Sequence, residues 1–261
     1  MRKLAAFLVA ASLLFSAAPV SAAVRAVSNA PQPAGKSSVT VLMYHKISDD
    51  PADANNAFCI SSKTFEEDIR FLKENGYTFC FASEVDDVLS GKRPRGNYVA
   101  VTFDDGYESD FYFAKPVLER YGAKATFFVI GSKIGMEDHI TKEHLSALSR
   151  LDVVEIGSHS YGLHNMPVAE LKQSFDSKNP KPIADDFLKS ANILEKIIGK
   201  KVAVLSYPNG IYNTETDRAL RNAGFTATFT SDEKRPVYPG VPHGRINRWK
   251  GAALKLSLIH I

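Results

Sequence analysis

Two adjacent aspartates follow an apolar run in the stretch VTFDDGYESD, residues 101–110. Neighbouring carboxylates repel each other, and a buried strand that ends on them gains no packing energy to offset this repulsion. Asp104 and Asp105 therefore either lie in solvent at a turn, the usual role of an isolated DDG, or hold a ligand. A bound cation would neutralise one carboxylate and favour the ionised form of the other.

Other polar side chains stand where further apolar runs end. These are His45 after VTVLMY, His159 after VVEIGS with His164 five residues later, and Tyr207, Pro208 and Asn209 after VAVLS. Two histidines and one carboxylate commonly bind a divalent metal that keeps positions open for water and substrate. Asp105, His159 and His164 would supply this set, which leaves Asp104 as a base toward a water molecule at the metal.

The spacing of the two histidines predicts the local structure between them. Ligands on one helix face are three or four residues apart, whereas five residues separate His159 from His164 in HSYGLH. We therefore expect this segment to be a loop that folds back, and Gly162 makes such a turn easier.

The polar residues require elements that bring them to one place, and the hydrophobic pattern predicts such elements. Apolar β-branched runs alternate with helical patterns at residues 63–76 and 182–199, and Pro116 is predicted to open a short helix that ends near Gly122. This alternation is typical of a parallel sheet covered by helices, either doubly wound or a barrel. The carboxyl ends of parallel strands share one rim, so the polar residues should meet there.

Composition and charge limit the class of protein. The 261 residues are 44% hydrophobic and 23% charged, as in globular proteins. Residues 1–22 have the pattern of a secretory signal peptide, so we expect a secreted or envelope-associated protein without stable membrane insertion. Without Arg2 and Lys3 the formal net charge falls from +3 to +1, and no basic run indicates nucleic-acid binding.

The predicted organisation is a signal peptide (1–22), a flexible linker (23–37), one folded domain (38–255) and a tail (256–261). The tail, LSLIHI, resembles the translation of a common sequencing adapter, so we interpret it as non-native and the domain as truncated. Cys59 and Cys80 could pair outside the cell or remain buried thiols, and both alternatives stay open. The oligomeric state also stays open.

Four motifs in order, TFDDGY, ATFFVIG, EIGSHSYGLH and SYPNG, resemble the NodB homology domain of polysaccharide deacetylases, carbohydrate esterase family four. The resemblance runs from about Val39 to Trp249. It implies a distorted (β/α) barrel with fewer than eight strands, and a zinc or other divalent ion used to remove acetyl groups from sugars.

The resemblance also implies residue roles. Asp104 would be the catalytic base, with Asp105, His159 and His164 as metal ligands, and a backbone N–H would help to stabilise the oxyanion. Ser206 stands where most members have an arginine that orients the base. The opening VLMYH resembles the subset of poly-N-acetylglucosamine deacetylases in which a histidine of the first strand is the general acid, here His45.

The substrate-binding residues implied by the same resemblance are Tyr207, Pro208, Asn209 and Trp249, although Trp249 could equally pack beneath the rim. No role is assigned to Arg245 or Arg248. The expected partner is an acetylated polysaccharide, with an N-acetylglucosamine polymer favoured. Peptidoglycan, chitin-like oligomers and acetylated xylan stay open as substrates, as does a non-catalytic glycan-binding module. A metalloprotease is disfavoured because HExxH is absent from the sequence.

Overall fold

The computed structural model describes residues 37–177, 179–235, 237–248 and 254. The predicted signal peptide (1–22), the predicted linker except Ser37, the predicted tail (256–261) and Trp249 lie outside these residues. Within the described part of the chain, no helix has the length and apolar character needed to cross a bilayer.

Short strands and helices alternate along most of the chain. The strands are β1 (Ser38–Tyr44), β2 (Lys46–Ile47), β3 (Cys59–Ile60), β4 (Thr78–Phe79), β5 (Asn97–Phe103), β6 (Ala125–Val129), β7 (Val154–Ser158), β8 (Val204–Ser206), β9 (Ala227–Phe229) and β10 (Ile246–Asn247). The helices are α1 (Ser62–Glu74), α2 (Val85–Leu89), α3 (Glu108–Tyr121), α4 (Lys142–Leu148), α5 (Val168–Asp176), α6 (Lys181–Ile198) and α7 (Thr214–Asn222).

The main sheet is parallel throughout, as the alternating pattern predicts. Its continuous path is β10-β1-β5-β6-β7-β8-β9, and the two-residue β4 adds to β5 from the side. The carboxyl ends of these strands therefore lie on one rim. Alternate residues of each strand face opposite sides, so Leu42 packs against the helices whereas Val41 faces the smaller inner cluster around Phe128 and Phe229.

The segment 243–247 connects the two edges of this sheet. His243 forms a parallel bridge to Phe229 at the end of β9, and β10, a few residues later, pairs with Leu42 and Met43 of β1. The sheet thus curves toward closure, which confirms the expected distorted barrel. Segment 243–247 also carries Arg245 into the interior, where the residue is 1% exposed.

One local prediction needs correction. Pro116 lies inside α3, which begins at Glu108. The helix tolerates this proline because the backbone carbonyl that loses its hydrogen-bond donor belongs to the exposed Tyr112. Gly122 ends this helix with φ 61°, as expected. The run YTFCFAS (77–83) forms only the short β4, since Ala82 starts a 3₁₀ turn.

The two cysteines are buried free thiols, which resolves the alternative left open by the sequence. Burial raises the pKa of the Cys80 thiol to about 12, so this side chain stays protonated and behaves as part of the core.

A buried ion pair holds the C-terminal segment against the first helix. Asp68 of α1 accepts hydrogen bonds from Arg248 at 2.5 Å and 3.0 Å and from the Tyr44 hydroxyl at 3.1 Å. The backbone N–H of Arg248 also donates to Met43 at 2.9 Å. These contacts attach the chain beyond β10 to both β1 and α1.

We predict that Asp68→Ala lowers the free energy of unfolding by about 3–5 kcal/mol, because removing one partner leaves a charged group buried without its counter-ion. Urea unfolding followed by circular dichroism measures the change. The control is Glu67→Ala, the exposed neighbour on the same helix. An equal effect of the two substitutions would show that the buried pair does not stabilise the fold.

Candidate active site

The two aspartates of TFDDG follow β5 directly, and a backbone turn separates their side chains. Asp105 has φ 73° and Gly106 has φ 77°, both in the left-handed region. Aspartate tolerates this region better than most residues do, and such strain is common at functional sites. A Cβ atom on Gly106 would also come within 3.1 Å of Val129, so this position requires glycine. Consecutive carboxylates can therefore meet different partners.

Asp105 faces the two histidines. Its Oδ1 atom lies 3.2 Å from His164 Nε2 and 3.5 Å from His159 Nε2, and one ligand atom from each residue lies within 4.8 Å of the others. Three ligands bound tetrahedrally to one zinc ion, with bonds of about 2.0–2.1 Å, would be separated by about 3.3 Å. Asp105 Oδ1 is buried and has no hydrogen-bond partner among the described residues. The donor set and its spacing therefore fit a divalent metal ion.

His159 is oriented for a ligand role by a backbone contact. Its Nδ1 lies 2.9 Å from the Ser206 carbonyl oxygen, which can only accept, so Nδ1 carries the proton and Nε2 presents a lone pair toward Asp105. Burial lowers the pKa of His159, which favours the neutral imidazole that metals bind.

The segment between the histidines is a loop, in agreement with the five-residue spacing. His159 follows β7, and His164 belongs to the 3₁₀ turn Leu163–Asn165. The residue with positive φ is Ser160, at 69°, whereas Gly162 has φ −126°. The expectation that Gly162 supplies the turn is therefore wrong, because the chain reverses one residue after His159.

Asp104 has different partners, and the main one was not predicted. Arg245 Nη1 and Nη2 donate to Asp104 Oδ1 and Oδ2 at 2.7 Å and 2.6 Å, which makes a bidentate ion pair. Ser206 Oγ accepts from Arg245 Nη2 at 2.7 Å and donates to Asp104 Oδ2 at 3.2 Å. Ser206 of SYPNG and Arg245 of segment 243–247 therefore contact the same carboxylate.

This arrangement determines the charge of Asp104. Burial alone would raise the pKa of its carboxyl group, but the Arg245 guanidinium and, to a lesser extent, His159 hold that pKa well below its usual range. Asp104 is therefore an ionised carboxylate at neutral pH. Its hydrogen bonds leave acceptor capacity for one more donor.

His45 lies at the same rim. It follows β1, which pairs with β5 along its whole length, and it is close enough to Asp104 to help lower the pKa of that carboxyl group. Its ring lies 5.0 Å from the ring of Phe58, which is 48% exposed. The histidine is half-buried, so it is accessible from solvent.

The SYPNG residues do not share one environment. Tyr207 is fully buried, and its hydroxyl donates to Asp217 at 2.9 Å on the side opposite the Ser206 hydroxyl. Its side chain therefore packs in the core instead of facing a substrate. Pro208 is also buried, whereas Asn209 is exposed with φ 53°. Trp249, as noted above, lies outside the described residues.

The structure thus brings together five of the residues singled out from the sequence: His45, Asp104, Asp105, His159 and His164. Arg245 is the principal residue that sequence reasoning missed. A buried carboxylate requires a counter-ion, and the lack of an arginine in SYPNG was the signal that one must come from elsewhere.

Comparison with known proteins is consistent with this geometry. The sequence profile of the family "Polysaccharide deacetylase" matches residues 91–228, more than half of the chain. The Bacillus subtilis protein YxkH, a proposed polysaccharide deacetylase, is 30% identical over 74% of this chain and 64% of its own length. A poly-beta-1,6-N-acetyl-D-glucosamine N-deacetylase of Staphylococcus aureus is 28% identical over 68% of this chain and 62% of its own.

Solved structures show the same fold. IcaB from Ammonifex degensii superposes with a TM-score of 0.71 at 26% identity, covering 85% of this chain and 94% of IcaB. The Streptococcus pyogenes deacetylase PplD gives a TM-score of 0.72 at 22% identity, covering 87% and 98%. The chain spans slightly less than two thirds of the length of the curated relatives. By its sequence match, fold and site, the chain belongs to the polysaccharide deacetylase family.

Proposed function

We propose that the protein is a metal-dependent deacetylase that hydrolyses the N-acetyl groups of an N-acetylglucosamine polymer. The observation that carries this proposal is the pairing of two sites at one rim. A three-residue metal-binding group lies next to a second carboxylate, Asp104, whose charge is maintained by Arg245. A site that only bound a structural ion would have no need of that second, buried carboxylate.

Asp105, His159 and His164 would hold the ion. When bound, zinc or another divalent ion supplies Lewis acidity, which increases the acidity of water and polarises the acetyl carbonyl group. Zinc is the favoured metal because two imidazoles and one carboxylate are common zinc ligands.

Asp104 would accept the proton of the attacking water, whose oxygen forms a bond to the acetyl carbon. Arg245 and Ser206 would keep the carboxylate in one orientation during this transfer. The C–N bond then breaks, and the leaving nitrogen requires a proton. We assign that donation to His45, which lies at the same rim as Asp104. The products are acetate and a free amine on the sugar.

The relatives support the choice of substrate. The Staphylococcus aureus relative is named for poly-beta-1,6-N-acetyl-D-glucosamine, and the IcaB structure belongs to the same fold at 26% identity. Peptidoglycan, chitin-like oligomers and O-acetylated xylan are the alternative substrates for the same site. A non-catalytic glycan-binding module is disfavoured. Such a module would not need a catalytic base, whereas Asp104 has a buried counter-ion, Arg245, that keeps it charged.

The proposed location is outside the cytoplasm, either secreted or at the cell envelope. The support is the pattern of residues 1–22, with basic residues, an apolar run and small residues at the expected cleavage point. Asn209, exposed at the rim beyond β8, is the one residue of SYPNG that we keep as a candidate substrate contact.

We predict that the protein releases acetate from β-1,6-linked N-acetylglucosamine oligomers in the presence of zinc, and that a chelator abolishes the release. The measurement compares these oligomers with β-1,4-linked oligomers, peptidoglycan and acetylated xylan. Release from another substrate alone would correct the polymer. No release from any of the four by folded, zinc-loaded protein would contradict the proposed function.

We predict that replacing Asp105 removes metal binding, whereas replacing Asp104 removes turnover. Asp105→Ala should abolish stoichiometric zinc binding, because Oδ1 is the atom that faces both histidines. Asp104→Asn and His45→Ala should retain one zinc per chain and lose turnover. Metal analysis after dialysis and acetate release measure the two properties separately. Zinc loss in Asp104→Asn, or turnover in either of the latter variants, would contradict the assigned roles.

We predict that Arg245→Met lowers kcat by about 100-fold or more without removing zinc, because the base loses both its orientation and its counter-ion. Arg245→Lys keeps a charge but cannot form the bidentate contact with Asp104, so it should recover only part of the rate. Arg235→Met is the control, since Arg235 donates to the Pro242 carbonyl and does not contact Asp104. Unchanged kcat in Arg245→Met would show that Asp104 needs no such partner.

A further inference from the structure

The loop 159–164 carries two of the three candidate metal ligands, so their relative position depends on how this loop is held. His159 follows β7 directly, whereas His164 is separated from the strand by the reversal at Ser160. A metal bound by both histidines requires the loop to keep one conformation. The contacts that fix its middle therefore bear on metal affinity.

Helix α6 provides one of these contacts through a single carboxylate. Asp186 Oδ1 accepts the backbone N–H of Tyr161 at 2.7 Å, and Oδ2 accepts the backbone N–H of Gly162 at 2.9 Å. Both hydrogen bonds involve a charged acceptor, which makes them stronger than neutral ones. Phe187, the next residue, is fully buried in the core and fixes the helix against the sheet. The carboxylate is thus held on a rigid element.

The other side of the loop is held by the chain that follows β6. The backbone N–H groups of Gly131 and Ser132 donate to the carbonyls of Ser160 and Tyr161, at 2.9 Å and 3.2 Å. The loop backbone is therefore hydrogen-bonded on both sides, by its carbonyl groups to one segment and by its N–H groups to Asp186. The ammonium of Lys189 in α6 also lies 3.4 Å from the centre of the Tyr161 ring, a cation–π contact between the helix and the loop.

From this geometry we infer that Asp186 is a positioning residue for the metal site: it sets the conformation of loop 159–164 and thereby the separation of His159 and His164. The inference rests on the proposed metal-binding function of this site. Asp186 would not touch the metal or the substrate, and the protein would use it to limit the conformations of the loop before the metal binds.

The chemistry of the contact predicts which substitution is informative. A carboxylate offers acceptors to both N–H groups, whereas an amide offers one acceptor and one NH₂ donor. Asp186→Asn would therefore place a donor against a donor at one of the two contacts, with almost no change in volume. Asp185 is a matched control because it is adjacent, exposed and paired with Lys181 on the same helix.

The experiment is a calorimetric titration of zinc into the metal-free full chain, for the unsubstituted protein, Asp186→Asn and Asp185→Asn. We expect Asp186→Asn to bind one zinc about 10- to 100-fold more weakly, as is typical for residues that orient ligands. Asp185→Asn should match the unsubstituted protein. An unfolded fraction would lower the binding stoichiometry, whereas a loosened loop lowers the association constant, so the titration separates the two causes.

Hydrogen exchange gives a second readout that does not depend on metal. In the metal-free protein, the amides of Tyr161 and Gly162 should exchange faster in Asp186→Asn, while those of β7 should be unchanged. Equal zinc affinity in Asp186→Asn and the unsubstituted protein would overturn the inference and leave the metal site intact. Absence of zinc binding by the unsubstituted protein would overturn the metal site and, with it, the role of Asp186.

Discussion

A carboxylate remains ionised inside a protein only when a cation or several hydrogen-bond donors lie against it. Asp104 is buried at the carboxyl end of β5, and Arg245 meets this requirement with two hydrogen bonds of 2.6 Å and 2.7 Å. Arg245 lies in the segment that also joins the two edges of the sheet through His243 and β10. The charge of the proposed base and the closing of the sheet therefore depend on the same short segment.

The left-handed turn at Asp105 explains how two adjacent carboxylates coexist. Asp104 is directed to a guanidinium, and Asp105 to the Nε2 atoms of two histidines. Each carboxylate thus has its own positive or metal-binding partners, and the interactions with these partners offset the repulsion between the two carboxylates. A regular strand would also direct the two side chains to opposite faces, but only the turn keeps both at the rim.

Sequence patterns predicted the parts of the molecule whose signals are local. The run NYVAVTF is mostly apolar because β5 is covered on both faces, so the run coincides with the strand. The DDG and HSYGLH motifs predicted the metal-binding group for the same reason, since each follows such a run. The very short strands β9 and β10 depend on pairing with neighbours, and no periodicity marks two or three residues.

Long-range partners could not be predicted in this way. Arg245 stands 141 residues after Asp104, and no spacing rule connects them. The burial of Tyr207, in contrast, could have been predicted, because successive side chains of a strand point to opposite faces. Ser206 faces Asp104, so the next side chain must point away from it, toward Asp217. The position of Tyr207 in the motif suggested a substrate contact, but the alternation of the strand directs its side chain into the core.

The order of these residues along the chain has a consequence for biosynthesis. Asp104, the three candidate metal ligands and Ser206 leave the ribosome before Arg245, which follows Ser206 by 39 residues. Burial of Asp104 without the guanidinium would favour its neutral form, which cannot accept a proton. A nascent chain therefore contains the three candidate metal ligands before it contains the cation that pairs with the proposed base. The pairing of Asp104 with Arg245 forms only when segment 243–247 has reached its place between β9 and β1.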